Sequence, residues 1–120
     1  MLTSTRTRIL CTTALSLTVG LVISLPLVAQ DATVKRGMQV YAAQKCSTCH
    51  LIAGKGKKTG PLDDVGSKLS GDEIRQWIVN PTEMAAKAKS KKKPPMENKY
   101  SKLPPADIDA LVAYMQTLKK

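Results

Sequence analysis

Cys46, Cys49 and His50, in the run Cys46-Ser47-Thr48-Cys49-His50, carry the most specific chemistry in this chain. Thiols three positions apart on a helical turn can add to the two vinyl groups of one porphyrin. The adjacent histidine then falls beneath the iron as its proximal ligand, and this is the spacing of covalent c-type haem attachment. Shuffling the composition would place cysteines at both offsets before the single histidine only about four times in ten thousand, so chance is a poor explanation. Structural zinc requires four ligands, and beyond Cys11 the chain offers only these two cysteines and this histidine. A redox dithiol would share the Cys-x-x-Cys spacing but usually sits beside a βαβ pattern, which this sequence lacks. A plain disulfide is the default for paired cysteines in an oxidising compartment, and the haem motif displaces it.

The segments around this motif read as all-α, with about four short helical patterns and no competing stretch of alternating β-branched residues. A first helix is expected over residues 32–46, with Asp31 or Thr33 near its start and Val34, Met38, Tyr41 and Ala42 on one face; it delivers the chain to Cys46. Residues 51–68 hold Gly54, Gly56, Gly60, Pro61 and Gly66 among lysines and favour a loop. Ser70 and Glu73 form a capping box that opens a helix over residues 72–79, closed by Pro81. Asn80 can cap the next short helix, with Pro81 in its first position, Glu83 in its first turn and Met84 within it. Lysines and prolines from Lys87 to Pro105 exclude persistent helix. The last helix, over residues 105–118, aligns Ile108, Leu111, Val112, Met115 and Leu118 in one stripe, with Asp107 and Asp109 early and Lys119 and Lys120 late, as the helix dipole favours.

Residues 1–30 read as a secretory signal: Arg6 and Arg8 in front, an uncharged apolar stretch from Ile9 to Ala29, then Gln30 and Asp31. Cleavage is expected near Ala29 or Gln30. Retention would instead make the segment a membrane anchor, which Pro26 and the scattered Ser and Thr disfavour. Cys11 lies inside this stretch, where a lipid-attachment cysteine would not sit. The remaining residues 31–120 form one small domain, of a size that usually leans on a disulfide, metal, cofactor or oligomer for stability. Its charge falls from the +10 of the whole chain to +8 once Arg6 and Arg8 are gone. With three Tyr, one Trp and no Phe, there is no basic and aromatic interleaving of the kind that stacks bases. The expected partners are therefore acidic redox proteins and not nucleic acid, and membrane contact is expected only if the leading segment stays.

Gly37 and Tyr41 before the haem motif, Gly60-Pro61 after it, Met96 before the last helix, and Leu111-Val112-Ala113-Tyr114 within that helix occur in an order that resembles the small bacterial class I cytochromes c. The resemblance implies a cytochrome c fold of about four short helices around one covalent haem, with the first and last helices crossing. It places Gly37 where Tyr114 or Leu111 approaches the other backbone. It also implies that Pro61 offers its carbonyl to the free ring nitrogen of His50. A thioether is then the expected sixth iron ligand, and of the five methionines Met96 alone occupies a proline-stiffened loop. Met84 is the alternative, while Met38 and Met115 fall on apolar stripes where packing is the default. One departure stands out: Glu97, not proline, follows Met96, and Pro94 and Pro95 precede it.

With His50 and Met96 both on iron, no position is open for oxygen or peroxide chemistry, so the implied protein is a monomeric one-electron carrier in the periplasm and not an enzyme. If Met96 is off the iron, the reading becomes a ligand-binding or peroxidatic haem protein; a haem subunit of a larger oxidoreductase is a further alternative. Lys87, Lys89, Lys91, Lys92 and Lys93 either steer acidic partners toward the haem edge or form a solvated loop. Trp77 and Tyr100 either meet the porphyrin or serve as ordinary core and rim residues.

Overall fold

The computed structural model describes residues 26–92 and 94–120. Its helices are α1 (Pro26–Ala43), α2 (Val65–Lys68), α3 (Gly71–Val79), α4 (Pro81–Lys87) and α5 (Pro105–Thr117). Short 3-10 turns lie at Cys46–Thr48 and Asn98–Lys102. Among the described residues the all-α expectation is qualified by an antiparallel pair, β1 (Leu51–Ile52) and β2 (Lys55–Gly56), in register Leu51 to Gly56 and Ile52 to Lys55, and by an isolated parallel bridge between Leu51 and Pro61. The strands β1 and β2, and also α2, lie in the stretch expected to be loop. Among the described residues no helix is long and apolar enough to cross a membrane.

The domain is organised by the crossing of α1 and α5. A Cβ on Gly37 would lie 2.6 Å from Tyr114 Cβ and closer still to the Ala110 carbonyl, so only glycine lets the helices meet there. Tyr114 is therefore one of the approaching residues, as expected, and Ala110 takes the place expected of Leu111. One turn on from Gly37, Val40 joins Ile108, Leu111, Val112 and Met115 of α5 and Ile74 and Ile78 of α3 in a single apolar core. The rings of Tyr41 and Tyr114 meet edge to face with centroids 6.0 Å apart.

This crossing corrects the expected face of α1. At about 100° per residue, fixing Gly37 against α5 brings Val34, Val40, Tyr41 and Gln44 inward and turns residues 38 and 42 away. Met38 is accordingly 51% exposed and Ala42 is exposed, so neither belongs to the core. The helix also runs through Asp31 and Thr33, which neither start nor cap it; Thr33 Oγ1 donates to the Ala29 carbonyl one turn back, at 2.9 Å. The proposed cleavage point lies within described helix, and residues 1–25 of the expected signal lie outside the described residues.

Helix α3 begins as its capping box dictates. Glu73 N donates to Ser70 Oγ at 3.3 Å and Ser70 N donates to Glu73 Oε2 at 2.8 Å, satisfying two backbone donors that would otherwise be orphaned. The amphipathic turns that follow bury Ile74 and Ile78. Ser70→Ala is expected to cost about 1 kcal/mol, measured by chemical denaturation. Hydrogen bonds from the Ser70 backbone, then from its hydroxyl, hold the Glu73 carboxyl below its ordinary value of 4.5. A depressed carboxyl stabilises the fold above its unfolded value, so this contribution is complete above about pH 4.5 and is lost as pH falls through the lower folded value.

Asn80 does not cap α4 through its side chain. Its Nδ2 turns back to donate to Gln76 Oε1 at 2.8 Å, and only its carbonyl enters the helix, accepting from Met84 N. Pro81 occupies the first position as expected and is fully buried. Helix α5 is held at its start by ion pairs from two sides, Arg36 of α1 to Asp107 at 2.8 Å and Arg75 of α3 to Asp109.

Candidate functional site

The segment that carries the thiols is a single tight turn. Helix α1 ends before Cys46 and does not run into it: Lys45 N bonds Ala42 O at 3.0 Å, then Lys45 itself adopts a left-handed conformation at φ 54 and redirects the chain. Cys49 N and His50 N both donate to the Cys46 carbonyl, at 3.1 and 2.9 Å, winding the five residues into one turn. Cys46 is half-buried and Cys49 is exposed, and no disulfide joins them. Burial pushes the Cys46 thiol up to about 11, so it is neutral at physiological pH.

His50 is oriented by the loop that follows. Its Nδ1 lies 3.1 Å from the Gly60 carbonyl, and because a carbonyl only accepts, Nδ1 carries the proton and Nε2 keeps its lone pair for a metal. Burial lowers the affinity of the ring for a second proton, which favours the neutral form able to bind a metal. The bond comes from Gly60 and not from Pro61, a correction with a simple cause. Residue 61 pairs in parallel with Leu51: Leu51 N donates to Gly60 O at 3.0 Å and Leu62 N to Leu51 O at 2.9 Å. Successive carbonyls in an extended segment point to opposite sides, so the one at Gly60 faces His50 and the one at Pro61 does not. Gly60 must also be glycine, since a Cβ there would lie 2.5 Å from the Cys49 carbonyl.

These residues open onto a cavity of about 670 Å³, within the usual 300–1,000 Å³ of cofactor sites. Cys46, His50, Pro61 and Met96 all line it, as do Trp77 and Tyr100, whereas Cys49 stands on its outer side. Ile74, Ile78, Leu111 and Met115 belong both to the apolar core and to the cavity wall, so a flat apolar guest would complete the core of the domain. The site therefore fits the haem that the motif implies. Its walls are mostly apolar, a half-buried thiol and a metal-competent imidazole both line it, and Tyr41 lends its hydroxyl to the His50 carbonyl at 3.4 Å. Burial raises Tyr41 to about 12, so it remains a neutral donor.

The methionines separate cleanly. Met96 is half-buried in the wall on an irregular loop, Met115 is buried within α5, Met38 is on the surface, and Met84 of α4 is not part of the wall. Besides Gly60 and apolar residues such as Leu62, Val65 and Leu69, the site residues not anticipated from sequence are polar: Asp63, Asp64, Lys68 and Lys120. Asp63 Oδ1 accepts from Ala53 N at 2.7 Å, and Asp64 pairs with Lys68 at 3.3 Å and accepts from Lys120 N at 3.1 Å. The Lys120 bond, first among several, holds the Asp64 carboxyl below its usual value. The i,i+4 spacing of Asp64 and Lys68 was a visible signal, but nothing local points to Lys120. Among the described residues no group of three or more His, Cys, Asp and Glu gathers as a metal cluster.

The family model described as Cytochrome c matches residues 34–119, most of the chain and all of the elements that build this site. No curated protein and no solved structure matches the chain.

Proposed function

This chain belongs to the cytochrome c family, whose members carry electrons on covalent c-type haem, and from that membership we propose that it is a one-electron carrier ligating iron through His50 and Met96. Bound haem supplies an iron that cycles between ferric and ferrous states, and thioether and imidazole ligation with apolar burial favours the ferrous form. The protein does the rest. Cys46 and Cys49 tether the porphyrin, the Gly60 carbonyl fixes the His50 ring, and the apolar wall keeps water from the metal. The observation that carries the reading is that Met96 shares the cavity wall with His50 while standing on an irregular, proline-stiffened loop.

The test is ligand binding to the purified, reduced protein. Resistance to carbon monoxide at neutral pH is expected, together with a mass that includes one covalently added haem. Rapid stoichiometric binding would replace the carrier reading with the ligand-binding or peroxidatic one.

The same reading includes export, removal of residues 1–30 and docking of acidic redox partners in the periplasm. Among the lysines from Lys87 to Lys93, Lys87 is paired with Glu83 at 2.7 Å and Lys92 is hydrogen-bonded to Thr59, while Lys93 lies outside the described residues. Lys89 and Lys91 are exposed and make no ion pair among the described residues, which supports them as the steering charges. Association with an acidic partner should slow clearly as ionic strength rises, read by stopped-flow electron transfer.

A further inference from the structure

The loop that presents Met96 and the loop that fixes His50 are joined by one side chain. Lys92 Nζ donates to the Thr59 carbonyl at 2.8 Å. Thr59 immediately precedes Gly60, whose carbonyl holds His50 Nδ1 at 3.1 Å. On the other side Lys92 stands four positions before Met96, and Pro94 and Pro95 stiffen the connection. Among the described residues from 91 to 97, this is the only hydrogen bond that reaches a distant part of the chain. The others, Lys92 N to Ser90 Oγ and Glu97 to Lys99, are local.

We propose that Lys92 is a positioning residue for the electron-transfer site, a tether that holds the Met96 loop against the His50 loop and so keeps the thioether on its side of the cavity. This rests on the reading of Met96 as the sixth ligand. The irregular segment between the end of α4 and the 3-10 turn at Asn98–Lys102 would otherwise be anchored only at its ends. A fixed point in its middle shortens the free span and reduces the entropy lost in seating the sulfur. The ammonium donates a charge-assisted bond to a neutral carbonyl, and its exposed position moderates the strength.

The experiment uses the full haem-loaded chain and titrates the ferric protein with imidazole, a ligand that reaches iron only when the sulfur has left. Wild type, Lys92→Gln, Lys92→Arg and Lys91→Gln are compared at neutral pH. Lys92→Gln is expected to bind imidazole about threefold more tightly than wild type, since losing one modest hydrogen bond raises the sulfur-free population by about that factor. Lys91→Gln, which removes the same charge from the same loop, is expected to match wild type, and Lys92→Arg, which can still donate, to restore most of the effect. An unchanged Lys92→Gln, or an equal shift in Lys91→Gln, would overturn the tether. The weak red absorption of a sulfur–ferric iron bond separates the two failures. Its presence in wild type with an unaltered Lys92→Gln sinks the tether alone, and its absence from wild type sinks the Met96 ligation beneath it.

Discussion

Replacing Met96 with alanine will turn a reduced protein that resists carbon monoxide into one that binds it at one molecule per chain. An exogenous ligand reaches a six-coordinate iron only through the minor state in which the sulfur has moved away, and its apparent affinity falls in proportion to that population. With a minor state of about 1%, removing the sulfur raises the apparent affinity about a hundredfold. The substitution should also lower the reduction potential, because thioether ligation raises it. Carbon monoxide titration and redox potentiometry read the two effects independently. Met84→Ala is the matched control: Met84 lies outside the cavity wall, and its loss should leave both measurements where they were. A variant of Met96 that still refuses carbon monoxide would show that another group holds the sixth position.

Gly37→Ala will destabilise the domain by about 2 kcal/mol, and Gly37→Val by more than about 3 kcal/mol, despite the better helix propensity of either residue. Propensity favours alanine by about 1 kcal/mol at an exposed mid-helix site. Here the added carbon would sit 2.6 Å from Tyr114 Cβ and against the Ala110 carbonyl, and backbone cannot turn aside as a flexible side chain can. The helices must separate, which disrupts the packing of Val40 with Ile108, Leu111 and Met115 and shifts two residues of the cavity wall. A loss of 2 kcal/mol corresponds to a fall in Tm of about 8–16 °C for a domain of this size. Met38→Ala, one residue along on the exposed face, should stay within about 0.5 kcal/mol of wild type. Equal effects at the two positions would refute the helix crossing.

What was legible in the sequence was what adjacent residues settle among themselves. The Cys46–His50 turn follows from covalent chemistry within five positions, and the Ser70–Glu73 box from a local exchange of hydrogen bonds. The stripe of α5 repeats over about two turns from Ile108 to Met115, a period visible in the residues themselves. What stayed hidden depended on pairing between distant segments. Val40 and Met38 are both apolar, and only the contact of Gly37 with α5 decides which of them is buried. The hairpin at Leu51–Gly56 is too short for any period to register; Ala53 and Gly54 turn it at positive φ, and only the glycine announces that. Gly60 replaced Pro61 as the partner of His50 because the direction of a carbonyl is set by the pairing of Leu51 with Pro61, which no local pattern reveals. Asn80 lost its expected capping role to a neighbouring amide, Gln76, with which it competes on nearly equal terms.

Because α1 and α5 meet across almost the whole length of the domain, a partial chain has nothing on which to build the core. A polypeptide still lacking its last fifteen or so residues has no Ala110 for Gly37 to rest against and no Leu111 or Met115 to floor the cavity. Contacts of such long sequence separation form late and together. The nascent chain therefore stays pliant until its final helix is made, with Cys46 and Cys49 still open to whatever delivers the porphyrin, and a ribosome that stops early releases material without a pocket. Truncation and premature termination should leave colourless, protease-sensitive product, not a weaker version of the same protein.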